Sequence, residues 1–235
     1  MKTKMVLSLY LNSPRMKIDI CFLMDITGSM EPWIQAAKDQ AFAIVRKTQQ
    51  ETPDADVRVA FVGYRDYGDN PQFVCKYFED VDVTLDAIRD VHAMGGDDEA
   101  EDVAGGLLAA AMLVWREDAA KSLIHIADAP PHGMMFHDPW ISDRFPHGDP
   151  GAKSALSLMK DLSERNIDYT FIKINNSTDM MLREFHRAYA GPGKFYVIDL
   201  RPQTGLDETY LGRAVHRSVT STIVRHSASQ DPSAV

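Results

Sequence analysis

Polar and apolar positions along this chain fall into blocks of two different periods. From Lys17 an almost unbroken apolar run, KIDICFLM, leads into Asp25. A run of strand length with no polar face suits a strand buried on both sides. At Met30 the period changes: Ile34, Ala37, Ala41 and Val45 recur at helical spacing, and Pro32 sits in the first turn, where a missing N–H costs little. Thr52-Pro53-Asp54 ends that helix near Gln49. Val57 to Arg65 and Phe73 to Phe78 read as strands joined through Gly68-Asp69-Asn70-Pro71, a link short enough to require an antiparallel pair. Thr84 to Ala93 reads as a short helix, and the acidic stretch Gly95 to Asp102 leads into another, with Val103, Leu107, Ala111 and Val114 on one face. Gly105 and Gly106 inside it cost about 1 kcal/mol each against Ala, so close packing on the sheet is expected there. Leu123 to Asp128 is a strand, and Ala129 to Asp149 a long loop rich in Pro, His and aromatic residues. Asp149-Pro150 then reads as a cap and first turn of a helix to Arg165. Strand Tyr169 to Ile174, helix Asp179 to Tyr189, strand Phe195 to Leu200 and helix Asp207 to Arg225 continue the series.

Such alternation predicts an α/β fold: a Rossmann-like, doubly wound sheet of about six strands, mostly parallel with one antiparallel edge strand, and helices on both faces. The first strand should lie inside the sheet. Its carboxyl end carries Asp25, Thr27 and Ser29 at alternating positions in the strand-to-helix loop. In open α/β sheets, ligands bind at that end of the strands. One carboxylate and two hydroxyls are hard oxygen donors, suited to Mg²⁺ or Mn²⁺. A blander arrangement is equally open for these residues taken singly, with Thr27 and Ser29 capping the first helix and Asp25 accepting backbone N–H bonds.

Asp25-Ile26-Thr27-Gly28-Ser29 resembles the D-x-S-x-S signature of the metal-ion-dependent adhesion site of von Willebrand factor type A (VWA) domains, with Thr27 for the first Ser. Glu101-Asp102-Val103-Ala104-Gly105-Gly106-Leu107 resembles that family's T-D-x-G-x-A-L stretch, and LIHIADA, ending a strand with Asp128, resembles its fourth strand. The strings FVGYRDY, EDVAGGL and IADAPPHG are most similar to the VWA module of some alpha-kinase proteins, and no kinase domain accompanies them in these residues. The resemblance runs from about Met16 to Ser218. It implies a site for Mg²⁺ (or Mn²⁺ or Ca²⁺) made by Asp25, Thr27, Ser29, Glu101 and Asp128. The hydroxyls would bind directly, and Asp25 and Asp128 partly through water. Glu101 stands where the family usually has a neutral Thr, which adds a third carboxylate. It would occupy the place of an incoming acidic ligand; otherwise it faces away and Asp97 or Asp98 serves instead. The run Asp97-Asp98-Glu99 also reads simply as a solvated acidic loop.

Other residues are read more plainly. His132, His137, Asp138, His147 and Asp149 have no tight metal-ligand spacing, which favours a lid or partner-binding loop with exposed histidines. Asp66 is either an outer acceptor of the metal site or an ion-pair partner of Arg65. D-x-T-G-S also resembles the D-x-T-G-T of haloacid dehalogenases, whose Asp is phosphorylated on a Mg²⁺ site. Yet Ala129-Pro130-Pro131 offers no second acid, and Tyr64-Arg65-Asp66 lacks that family's hydroxyl. A Mg-dependent phosphohydrolase using Asp25 is therefore the alternative to a non-catalytic binding module, which docks a protein partner at the metal-bearing edge and the 129–149 loop.

Size and composition narrow this further. The 235 residues suit one well-cored domain, expected over 16–226, between a leader extension (1–15) and a flexible tail (227–235). A formal charge of −9 disfavours nucleic acid as partner. No apolar run is long enough to span a bilayer. The resemblance implies a sheet order in which another strand separates those of Cys21 and Cys75, so the two read as buried free thiols in a reducing, cytoplasmic setting.

Overall fold

The computed structural model describes residues 15–199 and 208–229. The expected leader up to Pro14 and the end of the expected tail lie outside them, as do Leu200 and Asp207. Six strands form one sheet: β1 (Lys17–Asp25), β2 (Asp56–Tyr64), β3 (Phe73–Glu79), β4 (Ala119–Ala127), β5 (Asp168–Lys173) and β6 (Phe195–Asp199), in the order β3-β2-β1-β4-β5-β6. Every pairing is parallel except β2 with β3, the antiparallel edge. β1 lies inside the sheet, as expected.

The continuous apolar run of β1 is explained by two cores. Ile18, Ile20, Phe22 and Met24 point to one face, where they pack with Ala41, Ile44 and Val45 of α1 (Glu31–Glu51), with Leu85 and Ile88 of α2 (Val81–Arg89), and with Val219 of α6 (Glu208–Ser229). Cys21 and Leu23 point to the other, with Val103 and Leu107 of α3 (Val103–Ala111), Met159 and Leu162 of α4 (Ala155–Glu164), and Met181 and Phe185 of α5 (Asp179–Ala188). The strand alternates with period two as any strand does, but both sides are dry, so both sides are apolar.

Gly106 is where α3 meets this sheet. A Cβ there would lie 2.6 Å from the Tyr64 ring and 3.0 Å from Leu23. The close approach expected of the glycine pair is thus real, and it draws the N-terminus of α3 down onto β1 and β2.

Several boundaries differ from expectation. α2 begins at Val81 because Asp80 accepts the Asp82 N–H at 2.9 Å and caps it. α3 stops at Ala111, where the Trp115 indole takes the Ala110 carbonyl at 2.9 Å, so Val114 is off the helix and 82% exposed. α4 starts at Ala155 with Ser154 as its cap, not at Pro150; Ala152 has φ 56°, a left-handed backbone that no helix continues through. The last helix runs to Ser229. Both cysteines are free, but Cys75 is exposed, since its strand is at the edge and alternate residues face solvent.

Candidate metal centre

β1 delivers Asp25 to the carboxyl edge of the sheet, beside the end of β4, where Asp128 follows Ala127. The chain then turns through Gly28–Met30, a single 3₁₀ turn, before α1 starts. Asp25 Oδ1 accepts both the Thr27 N–H (3.0 Å) and the Thr27 hydroxyl (2.6 Å). Thr27 Oγ1 lies 3.2 Å from Ser29 Oγ, which in turn donates to Asp128 Oδ1 at 3.0 Å. Thr27 makes no capping bond to the turn it precedes, and α1 has no side-chain cap. The hydroxyls are therefore used on the carboxylates and not on the helix.

Glu101 arrives from a third loop. Its N–H bonds the Pro130 carbonyl at 3.0 Å, which ties the segment before α3 to the segment after β4. Gly96 covers the site closely, since a Cβ there would be 2.7 Å from Glu101 Oε1 and 3.3 Å from Thr27 Cβ. The five residues singled out by the motifs are thus gathered at one edge. Asp25 and Thr27 are fully buried, Glu101 is 2% exposed and Asp128 9%.

This cluster is electrostatically unfinished. Asp25 Oδ2 and Glu101 Oε2 are both buried and have no hydrogen-bond donor among the described residues. Burial, helped by the charge of Asp128, raises the Asp25 carboxyl to about 7. Burial and then Asp25 raise Glu101 to about 10. Asp128 is also raised, by burial. Buried carboxylates facing one another without a counter-charge either keep protons or take a cation. Two hydroxyls and three carboxylates form an all-oxygen donor set that fits a hard dication.

The long loop after β4 is more ordered than its composition suggests. His132 and His137 are not exposed: they are 2% and 3% accessible. His132 lies between two carboxylates, with Nε2 2.7 Å from Asp66 Oδ1 and Nδ1 2.8 Å from Asp143 Oδ1. Asp66 pairs with His132 and with Arg144 (3.5 Å), not with Arg65. Arg65 instead donates to the carbonyls of Ile26, Pro71 and His92. Nor is the 97–99 run a plain solvated loop, because Asp98 accepts the Arg144 N–H and Glu99 the Ser142 N–H. Asp143 and Arg144 had no motif to mark them. Beside Glu101 a cavity of about 300 Å³ opens, lined by His132, Met135, Phe136, Asp149 and Lys153. Trp140 (77%) and Met134 (59%) are exposed on the same loop.

Known proteins resemble this chain in sequence and in fold. A family model for the von Willebrand factor A domain matches residues 19–139. The alpha-protein kinase vwkA of Dictyostelium discoideum is 32% identical over 174 residues, which cover 72% of this chain and 27% of that protein. Human von Willebrand factor A domain-containing protein 7 is 27% identical over 179 residues, 75% of this chain and 17% of that protein. The chain thus spans under a third of the length of either relative. Among solved structures, the SpRpn10 VWA domain superposes with a TM-score of 0.58 at 16% identity, covering 84% of this chain and 93% of that one. The pilus adhesin SpaC of Lactobacillus rhamnosus GG gives 0.63 at 12% identity, over 91% and 31% of the two chains. At such identities the structures speak for the fold alone, but the family model and the aligned relatives agree with it. The chain belongs to the von Willebrand factor A domain family.

Proposed function

We propose that this chain is a non-catalytic binding module whose carboxyl edge holds a divalent cation, Mg²⁺ or Mn²⁺, through Asp25, Thr27, Ser29, Glu101 and Asp128. The observation that carries this reading is the pair of buried carboxylate oxygens, Asp25 Oδ2 and Glu101 Oε2, left without donors among the described residues and lying beside two hydroxyls. When bound, the cation would supply a positive centre for an oxygen of a docking partner. Glu101 supplies a third negative charge, so the residues over-compensate a dication and weaken its pull on an acidic partner. Apolar side chains exposed on the loop after β4, Trp140 and Met134, give a protein partner a surface to bury. Among the described residues no helix is long and apolar enough to cross a membrane. The net charge of −9 speaks against nucleic acid, and the free thiols Cys21 and Cys75 suit a cytoplasmic setting.

The dehalogenase-type alternative gains no support: the family match accounts for the D-x-T-G-S stretch. Calorimetric titration of the metal-stripped chain with Mg²⁺ and Mn²⁺ tests the proposal. One site is expected, abolished by Asp25→Asn with Ser29→Ala while the fold, followed by circular dichroism, is kept. No binding in the wild type, or metal-dependent phosphoester turnover lost in Asp25→Asn, overturns it.

A further inference from the structure

A second group of ionisable side chains lies beside the first, built from the end of β2, the 95–102 segment and the long loop. Asp66 and His132 expose 1% of their side chains, Asp143 2%, His137 3% and Asp98 7%. In each of three of them one polar atom is held by a fixed partner. His132 Nε2 is held by Asp66 Oδ1 at 2.7 Å. Asp143 Oδ2 is held by His137 Nε2 at 2.9 Å and by the Gly133 N–H at 2.8 Å. Asp98 Oδ2 accepts the Arg144 N–H at 2.5 Å.

The other atoms of the three are left to one another. His132 Nδ1 is 2.8 Å from Asp143 Oδ1, which also accepts the Phe145 N–H at 2.7 Å. Among the described residues Asp98 Oδ1 is buried with no hydrogen-bond donor; Arg144 Nε is 4.0 Å from it, and the Asp98 carboxyl faces that of Asp66. One donor atom from each of Asp98, His132 and Asp143 lies within 4.8 Å of the other two. We propose that Asp98, His132 and Asp143 form a second metal site, separate from the Asp25 centre, for a dication of the zinc class. Asp66 and His137 act there as positioning residues.

Outer hydrogen bonds, donor chemistry and charge all favour this assignment. A ligating histidine characteristically gives its second ring N–H to a carboxylate, and ligating carboxylates are themselves hydrogen-bonded. Asp66 does the first for His132, and His137 with Gly133 does the second for Asp143. Next, one imidazole nitrogen with two carboxylate oxygens is a mixed donor set that suits Zn²⁺ better than Mg²⁺, and three protein ligands leave a fourth position for water. Asp66, Asp98 and Asp143 are opposed in charge by Arg144, 3.5 Å from Asp66. If His132 alone were protonated, one negative charge would stay in excess in a buried group. A dication with neutral His132 balances it. An imidazolium wedged between Asp66 and Asp143 satisfies those two carboxylates but brings no donor to Asp98 Oδ1, and the Asp98 carboxyl still faces that of Asp66. The ion would also fasten the 95–102 segment, which carries Glu101 and Gly96 over the first centre, to the long loop.

Equilibrium dialysis of the full, metal-stripped chain against Zn²⁺ in excess Mg²⁺ tests this, with Co²⁺ absorption and X-ray absorption as reporters of the ligands. The expected result is one Zn²⁺ per chain, held with one imidazole and oxygen donors and retained in Asp25→Asn. Affinity should fall at least about tenfold in Asp98→Asn and in His132→Gln. Asp98→Asn keeps His132 between Asp66 and Asp143, so it decides the matter even if His132→Gln misfolds; circular dichroism verifies its fold. Absence of Zn²⁺ binding in the presence of Mg²⁺ overturns the proposal. So does Zn²⁺ binding that Asp98→Asn leaves intact, or that Asp25→Asn abolishes, which would place the ion at the first centre.

Discussion

Acidification from about pH 6.5 to about pH 4.5 puts a specific load on His125, in the middle of β4. The imidazole is wholly buried, with Nε2 2.8 Å from the Tyr64 hydroxyl and Nδ1 2.6 Å from the Tyr169 hydroxyl. A neutral ring serves that bridge well, since one nitrogen donates and the other accepts. Burial holds its pKa down at about 3, against the ordinary 6.5. Between those values the unfolded chain binds a proton that the folded one refuses, so stability rises with pH across the window and is lost as pH falls below 6.5. Integrated from about pH 6.5, where the unfolded imidazole is already half protonated, the loss is about 2 kcal/mol at about pH 4.5. For a domain of this size that is roughly 4–8 °C in Tm. Other groups titrate too, so the quantity to measure is the difference between wild type and His125→Gln, which keeps a donor and an acceptor but no proton to gain. Urea unfolding of both proteins at about pH 6.5, 5.5 and 4.5 should show the wild type losing about 2 kcal/mol more than the variant between the first and last. The His125 ring resonances should stay those of neutral imidazole throughout. A gap that stays constant to within about 0.5 kcal/mol, or a ring that titrates above about pH 5, would refute the reasoning.

Further outcomes follow from other parts of the fold. Glu101→Thr removes a charged oxygen from the proposed cation set, so Mg²⁺ and Mn²⁺ affinity should fall while a soluble carboxylate competes for the ion more readily; calorimetry before and after the change reads both effects, and unchanged values mean Glu101 is not a ligand. Gly106→Ala gains about 1 kcal/mol of helix propensity but forces a Cβ to 2.6 Å from the Tyr64 ring. Overpacking of about 1–3 kcal/mol should win, because Tyr64 is fully buried and has nowhere to move, and a raised urea midpoint would contradict this. Asp19 is fully buried in β1 and accepts from Arg58 Nε at 3.1 Å, from Arg116 Nε at 3.0 Å and from the Arg116 N–H at 2.8 Å. Asp19→Ala should cost about 3 kcal/mol, the low end for a broken buried pair, since both guanidinium groups keep some contact with water; a loss below about 1 kcal/mol by urea unfolding would show that they re-solvate freely.

What the sequence determined alone was whatever one segment encodes by itself. The period of apolar positions placed all six strands, and the doubly dry run of β1 pointed to a strand inside the sheet. The short link before Phe73 required the antiparallel pair that β2 and β3 form. Asp25, Thr27, Ser29, Glu101 and Asp128 were legible because three motifs occur in order, and the sheet brings their loops to one edge. Helix ends were less legible, since they depend on which side chain reaches a free backbone group. Asp80 and Ser154 win that competition over Thr84 and Asp149, and the Trp115 indole closes α3 before Val114. The ordering of the long loop was decided by tertiary structure alone. His132 is 66 residues from Asp66 and 11 from Asp143, and neither interval is a ligand spacing. The three meet because β1 and β4 are neighbours and β2 lies beside β1, which sets the end of β2 against the segment after β4. No local pattern carries that information: once the sheet order exists, buried charges must find partners across it, and these are the partners within reach.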